Sequence, residues 1–264
     1  RSERAAQQIA ALPEHARPEV VEVDYTSAQS MQAAAEGCDA VVHTAMPMDH
    51  SGLVYDSEEY NRLREELIAA TEMVLEAAAA EGVYAFILTS SSTAVMGRVV
   101  DGRVYNEKDW SDEQEGTSAY GMLKAAVERA AVQWHTKYTE KHGSPFRLCR
   151  ICPPAILGPS NAPTINEFVR QFITSPLNDT LKWSSIPEMR FHACTLKDAA
   201  FAHVLAVENE AAIGRYCIGE RAFTAMEWVR ALHAAGYTWP TYAVLHLPVP
   251  GPSWLVNPTF RTLL

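Results

Sequence analysis

Phe86-Ile87-Leu88-Thr89-Ser90-Ser91-Ser92 is an apolar run that breaks into hydroxyls, and further along the chain reads Tyr120-Gly121-Met122-Leu123-Lys124. The first reads as a buried strand opening into a polar loop, the second as the start of a helix. Tyr120 and Lys124 are four apart, so on a helix they share one face, one turn from each other. A cation that close favours the phenolate and is expected to lower Tyr120 from its ordinary pKa of about 10. Ser92 at the strand exit is expected to orient a carbonyl, with Tyr120 giving a proton and Lys124 tuning Tyr120. Either half alone has an ordinary reading: Tyr-x-x-x-Lys occurs on many amphipathic helices, and a Ser run often marks a strand leaving a sheet. The surroundings decide.

Upstream, Glu19–Asp24 alternates β-branched residues with acids and reads as a strand. Thr26 or Ser27 can cap a helix running to about Glu36, with Gly37 at its end. Asp39–Ala45 reads as a short buried strand, stopped by Met46-Pro47. From Ser57 to Ala80, Leu63, Leu67, Ala70, Met73, Val74 and Ala77 recur at threes and fours, the stripe of one long helix. Tyr84–Leu88 is the next strand, the Tyr120 helix runs to about Tyr138, and Phe146–Ile151 is a strand leading to Pro153-Pro154. Strands alternating with helices predict parallel crossovers and an α/β doubly wound sheet. Ligands bind such sheets at the carboxyl ends of the strands. Asp24, Thr44, Ser92 and Pro153 all fall at such ends.

After Pro159 the pattern loosens. Ile165–Ile173 is helical, residues 174–190 are irregular, and Thr195-Leu-Lys-Asp198 caps a helix to about Ala206. Arg215–Ile218 reads as a strand, Ala225–Ala235 as a helix, and 237–258 as a proline-rich extended tail. Residues 1–158 therefore form the core, and 159–264 a smaller α+β lobe interleaved with it.

With 264 residues, 48% of them hydrophobic, the chain has ample core for this plan. Its net charge of −10 argues against nucleic acid and anionic membranes as partners. No apolar run approaches the ~20 residues that span a bilayer, and no signal peptide opens the sequence. The five Cys are odd in number and irregular in spacing. Cys149 and Cys152 are three apart on a strand and point to opposite faces, so no shared metal is expected. They read as reduced thiols of a cytoplasmic protein.

The constellation resembles the extended short-chain dehydrogenase/reductase superfamily, in its dihydroflavonol-reductase-like branch, which includes fungal NADPH-dependent aldehyde/ketone reductases. The carriers are Val41–Pro47, Leu88–Ala94, Asn106-Glu107 through Trp110, Tyr120–Lys124, Pro153–Pro159 and Leu196–Ala200. The resemblance implies a Rossmann-like core and NADPH-dependent reduction of a ketone or aldehyde, NADH being the less expected cofactor. Ser92, Tyr120 and Lys124 match the catalytic triad, and Lys124 also the group that holds the nicotinamide ribose. Asp24, with Tyr25 beside it, matches the acid near the adenine. Thr44, Ala45 and Met46 match the backbone passing the pyrophosphate, and Pro153 and Ile156 the segment on the nicotinamide. Arg1 matches the Arg that pairs with the 2′-phosphate, where a guanidinium fork fits. Met46, Met96, Ile165 and Phe168 are candidates for the carbonyl substrate's pocket. Each has a plainer reading: Asp24 can cap the following helix, Thr44 and Pro153 can be turn residues, His43 a core histidine, Asp198 a helix-start residue and Arg1 a solvated charge.

The family opens with a strand, Gly-x-x-Gly-x-x-Gly and a helix, and no such glycine motif occurs in this sequence. The favoured expectation is a reductase whose front lies outside the sequence, since losing a central strand would expose its neighbours' edges. The alternatives are a shortened relative that binds no dinucleotide and uses its Tyr–Lys pair for isomerisation, dehydration or cyclisation, or a dinucleotide sensor without turnover. Monomer and homodimer, the latter through the Ser57–Ala80 and Tyr120 helices, are both open.

Overall fold

A computed structural model describes residues 9–10, 12–46, 53–96, 103–111, 118–158, 190–219, 221–236 and 259–260. Arg1, Ile165, Phe168 and the 237–258 tail lie outside the described residues.

Four strands form one parallel sheet in the order β1 (Ala40–His43), β2 (Ala85–Thr89), β4 (Arg147–Cys152), β7 (Gly214–Cys217). Three helices of the first half alternate with them: α1 (Ala28–Ala35), α2 (Glu58–Ala80) and α3 (Ala119–His142). Strand β3 (Val104–Tyr105) precedes α3 and pairs with β9 (Thr259–Phe260). A second sheet joins β5 (Ala155–Leu157), β6 (Arg190–Thr195) and β8 (Arg221–Thr224). Helix α4 (Leu196–Glu208) leads into β7, and α5 (Ala225–Ala234) follows β8. The fourth strand of the parallel sheet thus comes from beyond residue 158.

The helices start where their local sequence can satisfy the first free N–H groups. Ser27 Oγ accepts from Ser30 N at 3.2 Å, Ser57 Oγ from Tyr60 N at 3.1 Å, Ser118 Oγ from Gly121 N at 3.0 Å and Thr195 Oγ1 from Asp198 N at 3.0 Å. Helix α3 runs past its expected end at Tyr138 and stops at Gly143, whose φ of 86° suits glycine.

Alternation along the strands sorts the core onto two faces. Phe86 and Leu88 of β2 pack with Leu75, Ala78, Ala131, Phe146 and Leu148, beneath α2 and α3. Ala85 and Ile87 pack with Cys149, Ile151, Ala206 and Ala212, beneath α4. Helices cover both faces, as doubly wound sheets require. Cys149 and Cys152 are both buried but belong to different clusters, as their odd spacing dictates. No helix among the described residues is long and apolar enough to cross a membrane.

Three expectations change. Glu19–Asp24 forms no ladder, and Val20 and Val21 are 46% and 54% exposed. An alternating pattern supplies a face but not a hydrogen-bonding partner, and among the described residues β1 pairs only with β2. For the same reason β1 is not fully buried: Val42 is 43% exposed. Strands β5, β6 and β8 were not expected. They are short, and their pairing joins distant segments.

Candidate active site

Because β1, β2 and β4 are parallel, Thr44, Thr89–Ser92 and Pro153 leave the sheet along one edge. Past the end of β2 the chain keeps pairing with β4: Ser90 N donates to Ile151 O at 2.8 Å and Ser92 N to Pro153 O at 2.9 Å. Ser91 between them is extended and caps a short 3-10 turn, Ser92–Ala94. Its Oγ accepts from Thr93 N at 3.2 Å and from Thr93 Oγ1 at 2.9 Å. The hydroxyl of Ser91 also hydrogen-bonds Tyr120. The serine that faces Tyr120 is therefore Ser91, not Ser92. The physical reason is the continued pairing with β4, which holds the chain extended through all three serines, so that the Ser91 hydroxyl meets Tyr120 in the first turn of α3 while that of Ser90 meets Glu128 about two turns further on.

Ser118 sets the register of the first turn of α3, and Gly121 lets that turn approach the serines. A Cβ at Gly121 would lie 2.8 Å from Thr93 O. Tyr120 then projects beside Ser91, and Lys124 follows one turn on. The Lys124 ammonium donates to Thr89 O at 3.0 Å and sits 6.0 Å from the centre of the Tyr120 ring. Thr89 is tied on its other side, its Oγ1 meeting His203 Nε2 at 2.8 Å while His203 Nδ1 meets Ala199 O at 2.7 Å. A donor is needed at the carbonyl of Ala199, so the Nδ1 proton goes there and Nε2 accepts from Thr89.

Burial governs the electrostatics. It pushes the Tyr120 phenol above its ordinary value, and the bond to Ser91 opposes only part of that. The expected lowering by Lys124 is not found, because Lys124 is engaged with the backbone of β2 and is itself desolvated. Lys124, 7% exposed, is pushed down to about 8 by burial, with Cys152 and Glu128 opposing. His43, on the neighbouring strand, is pushed down to about 4 by burial and by the Lys124 charge, and so is neutral at pH 7.

The other expected residues fall as follows. Asp24 is exposed and accepts from Thr26 N at 2.9 Å and Thr26 Oγ1 at 2.7 Å, which holds its carboxyl below the usual range; the helix cap is Ser27 instead. Tyr25, Thr44 and Ala45 are exposed. Met46 packs beside Tyr60, Met122 and Leu123. Pro153 is buried and Ile156 half-buried on β5. Met96, expected in the substrate pocket, is buried in the core with Val95, Tyr105, Cys152 and Cys217. The sequence reading passed over Glu128 and Arg215. Glu128 carried a signal, since it continues the Tyr120–Lys124 face at the next four-residue step; Arg215 carried none.

The residues present fit the nicotinamide–ribose half of a dinucleotide. Lys124 has three protons and Thr89 O takes one, which leaves donors for a sugar diol.

Residues 4–211 match the 3-beta hydroxysteroid dehydrogenase/isomerase family. Cinnamoyl-CoA reductase 1 of Arabidopsis thaliana is 28% identical over 206 residues, covering 75% of this chain and 54% of that one. Vestitone reductase of Medicago sativa is 29% identical over 199 residues, covering 73% and 57%. The chain thus spans little more than half the length of these relatives. The crystal structure of vestitone reductase superposes with a TM-score of 0.68 at 25% identity, over 88% of this chain and 69% of that one. Yeast methylglyoxal/isovaleraldehyde reductase, solved with NADPH, shares the fold with a TM-score of 0.76 at 20% identity, over 99% and 81%. The chain belongs to the 3-beta hydroxysteroid dehydrogenase/isomerase family, within the extended short-chain dehydrogenase/reductase superfamily.

Proposed function

We propose that this protein reduces a ketone or aldehyde to an alcohol with NADPH in the cytoplasm, using Ser91, Tyr120 and Lys124. The observation that carries this reading is their assembly at the carboxyl edge of a parallel sheet. The choice of NADPH rests on the family resemblance and on the yeast reductase solved with it.

A nicotinamide dinucleotide supplies hydride to the carbonyl carbon. The chain's own part is to handle the oxygen. Ser91 and Tyr120 present hydroxyls from two elements to one point, where they hydrogen-bond the carbonyl oxygen as it gains charge. Tyr120 then gives its proton to that oxygen. A phenol kept protonated by burial suits this direction, because the acid must hold its proton until the alkoxide develops. Lys124 brings positive charge to the base of the site and offers its remaining protons to the ribose.

The test is Tyr120→Phe, which keeps the ring and removes the acid. Turnover of an aldehyde, followed by nicotinamide absorbance, is expected to fall ~10²-fold or more, with NADPH binding unchanged by fluorescence. Turnover close to that of the unaltered protein would overturn the assignment.

A further inference from the structure

Glu128 is fully buried on α3, one turn beyond Lys124. A carboxylate in the interior is costly unless charge and hydrogen bonds compensate it. Here Ser90 Oγ donates to Oε2 at 2.7 Å and Arg215 Nη2 to the same oxygen at 2.8 Å. Arg215 Nε lies 2.7 Å from Oε1, and Arg150 Nη1 3.5 Å from it. Arg215 reaches further, with Nη2 also 3.1 Å from Ala94 O, Nη1 bonded to Asp109 O, and its guanidinium 3.9 Å over the Trp110 ring. Ser90 is the residue before Ser91, and Ala94 closes the turn after it. One buried ion pair therefore grips the Ser91 turn at both ends.

We propose that Glu128 is a positioning residue for the Ser91–Tyr120–Lys124 site: through Ser90 and Arg215 it brackets the turn that carries Ser91, and it sets a carboxylate one helical turn from Lys124. This rests on the reading of the site given above. Lys124 faces His43 on β1, the Thr89 carbonyl on β2, Cys152 on β4, and Tyr120 and Glu128 on its own helix. Of these, Glu128 and Cys152 favour the ammonium and His43 is neutral above its low pKa.

The experiment is an NMR titration of the full chain with lysines carrying 13C at Cε, the Lys124 signal being identified by its loss in Lys124→Met. The unaltered protein is expected to titrate at about 8. Glu128→Gln is expected to lower that midpoint, and Glu128→Asp, which keeps the charge on a shorter stem, to restore most of it. A Cys152→Ala background removes the thiol as a source of any shift. Glu128→Gln leaves Arg215 buried without its counter-charge, so Glu128→Gln/Arg215→Gln serves if the single variant does not fold; with both charges gone the expected mark is faster amide exchange at Ser91–Ala94, and unchanged exchange there overturns the proposal. A Lys124 midpoint that stays put overturns the proposal. In turnover, Glu128→Gln is expected to lower kcat about tenfold, with the alkaline limb moved along with Lys124 and KM for NADPH unchanged. The outcomes separate cleanly. If Tyr120→Phe keeps its turnover, the reading of the site fails, whatever Lys124 does. If Tyr120→Phe is inactive and the Lys124 midpoint does not move, the positioning role alone fails.

Discussion

The Lys124 ammonium lies 3.0 Å from the Thr89 carbonyl oxygen, while the centre of the Tyr120 ring is 6.0 Å away. Lysine and tyrosine share a helix face, yet the lysine is bonded to the end of a strand. The cation is thereby anchored to the sheet rather than to the phenol. Burial, which opposes charge on either group, then sets both pKa values.

For the proposed carbonyl reduction, this arrangement sets an expected pH response. Tyr120 stays protonated well into the alkaline range, so the first group lost on raising pH is the Lys124 charge, at about 8. A kcat profile from pH 6 to 10 is expected to fall through that region. Lys124→Arg, which cannot deprotonate there, is expected to lose the limb at whatever maximum rate it retains.

The three adjacent serines separate by role. Ser91→Ala removes the hydroxyl that meets Tyr120 and is expected to lower kcat by ~10- to 100-fold. Ser92→Ala, whose backbone N–H makes its bond to Pro153, is expected to stay within about threefold. Equal losses in the two variants would mean that the hydroxyls are not distinguished in this way.

Gly121 is a contact point between α3 and the serine turn. An alanine there gains about 1 kcal/mol in helix propensity. It also puts a Cβ 2.8 Å from a backbone oxygen, Thr93 O, which cannot swing aside. Gly121→Ala is therefore expected to destabilise the fold by about 1–3 kcal/mol in urea titration and to lower kcat as the turn shifts.

His43 makes the fold sensitive to acid. Its folded pKa of about 4 lies below the ordinary 6.5, so between those values the unfolded chain binds a proton that the folded chain refuses. Its contribution is intact above pH 6.5 and is lost as pH falls toward 4, amounting to roughly 3 kcal/mol. His43→Leu is expected to show a smaller loss of stability between pH 7 and 4, measured by chemical denaturation at each pH.

Local features were legible in the sequence. Ser27 and Thr195 announce their helices because a cap needs only the next three residues. The Tyr120–Lys124 face follows from helical spacing alone, and the parallel sheet from the alternation of elements. The choice among Ser90, Ser91 and Ser92 was not legible, because it depends on how far β2 stays paired with β4 beyond its last residue. The direction of the Tyr120 shift was not legible either: spacing reveals the nearby charge but not the desolvation that outweighs it. Met96 was a candidate for the substrate pocket, yet it packs with Cys152 and Cys217, contacts too distant in the chain to foresee.

The pair Glu128–Arg215 joins residues 87 apart in the chain. During synthesis Tyr120, Lys124 and Glu128 therefore leave the ribosome long before the guanidinium that neutralises Glu128, and closing so long a loop carries its own entropic cost. The face that bears Tyr120 and Lys124 gains this support late, from β7. A chain stopped at residue 212 is expected to retain α2 and α3 but to hold the serine turn loosely, visible as faster amide exchange at Ser91–Ala94. Assembly of the proposed site is thus expected to follow the arrival of β7, so that a partly made chain would not yet carry it.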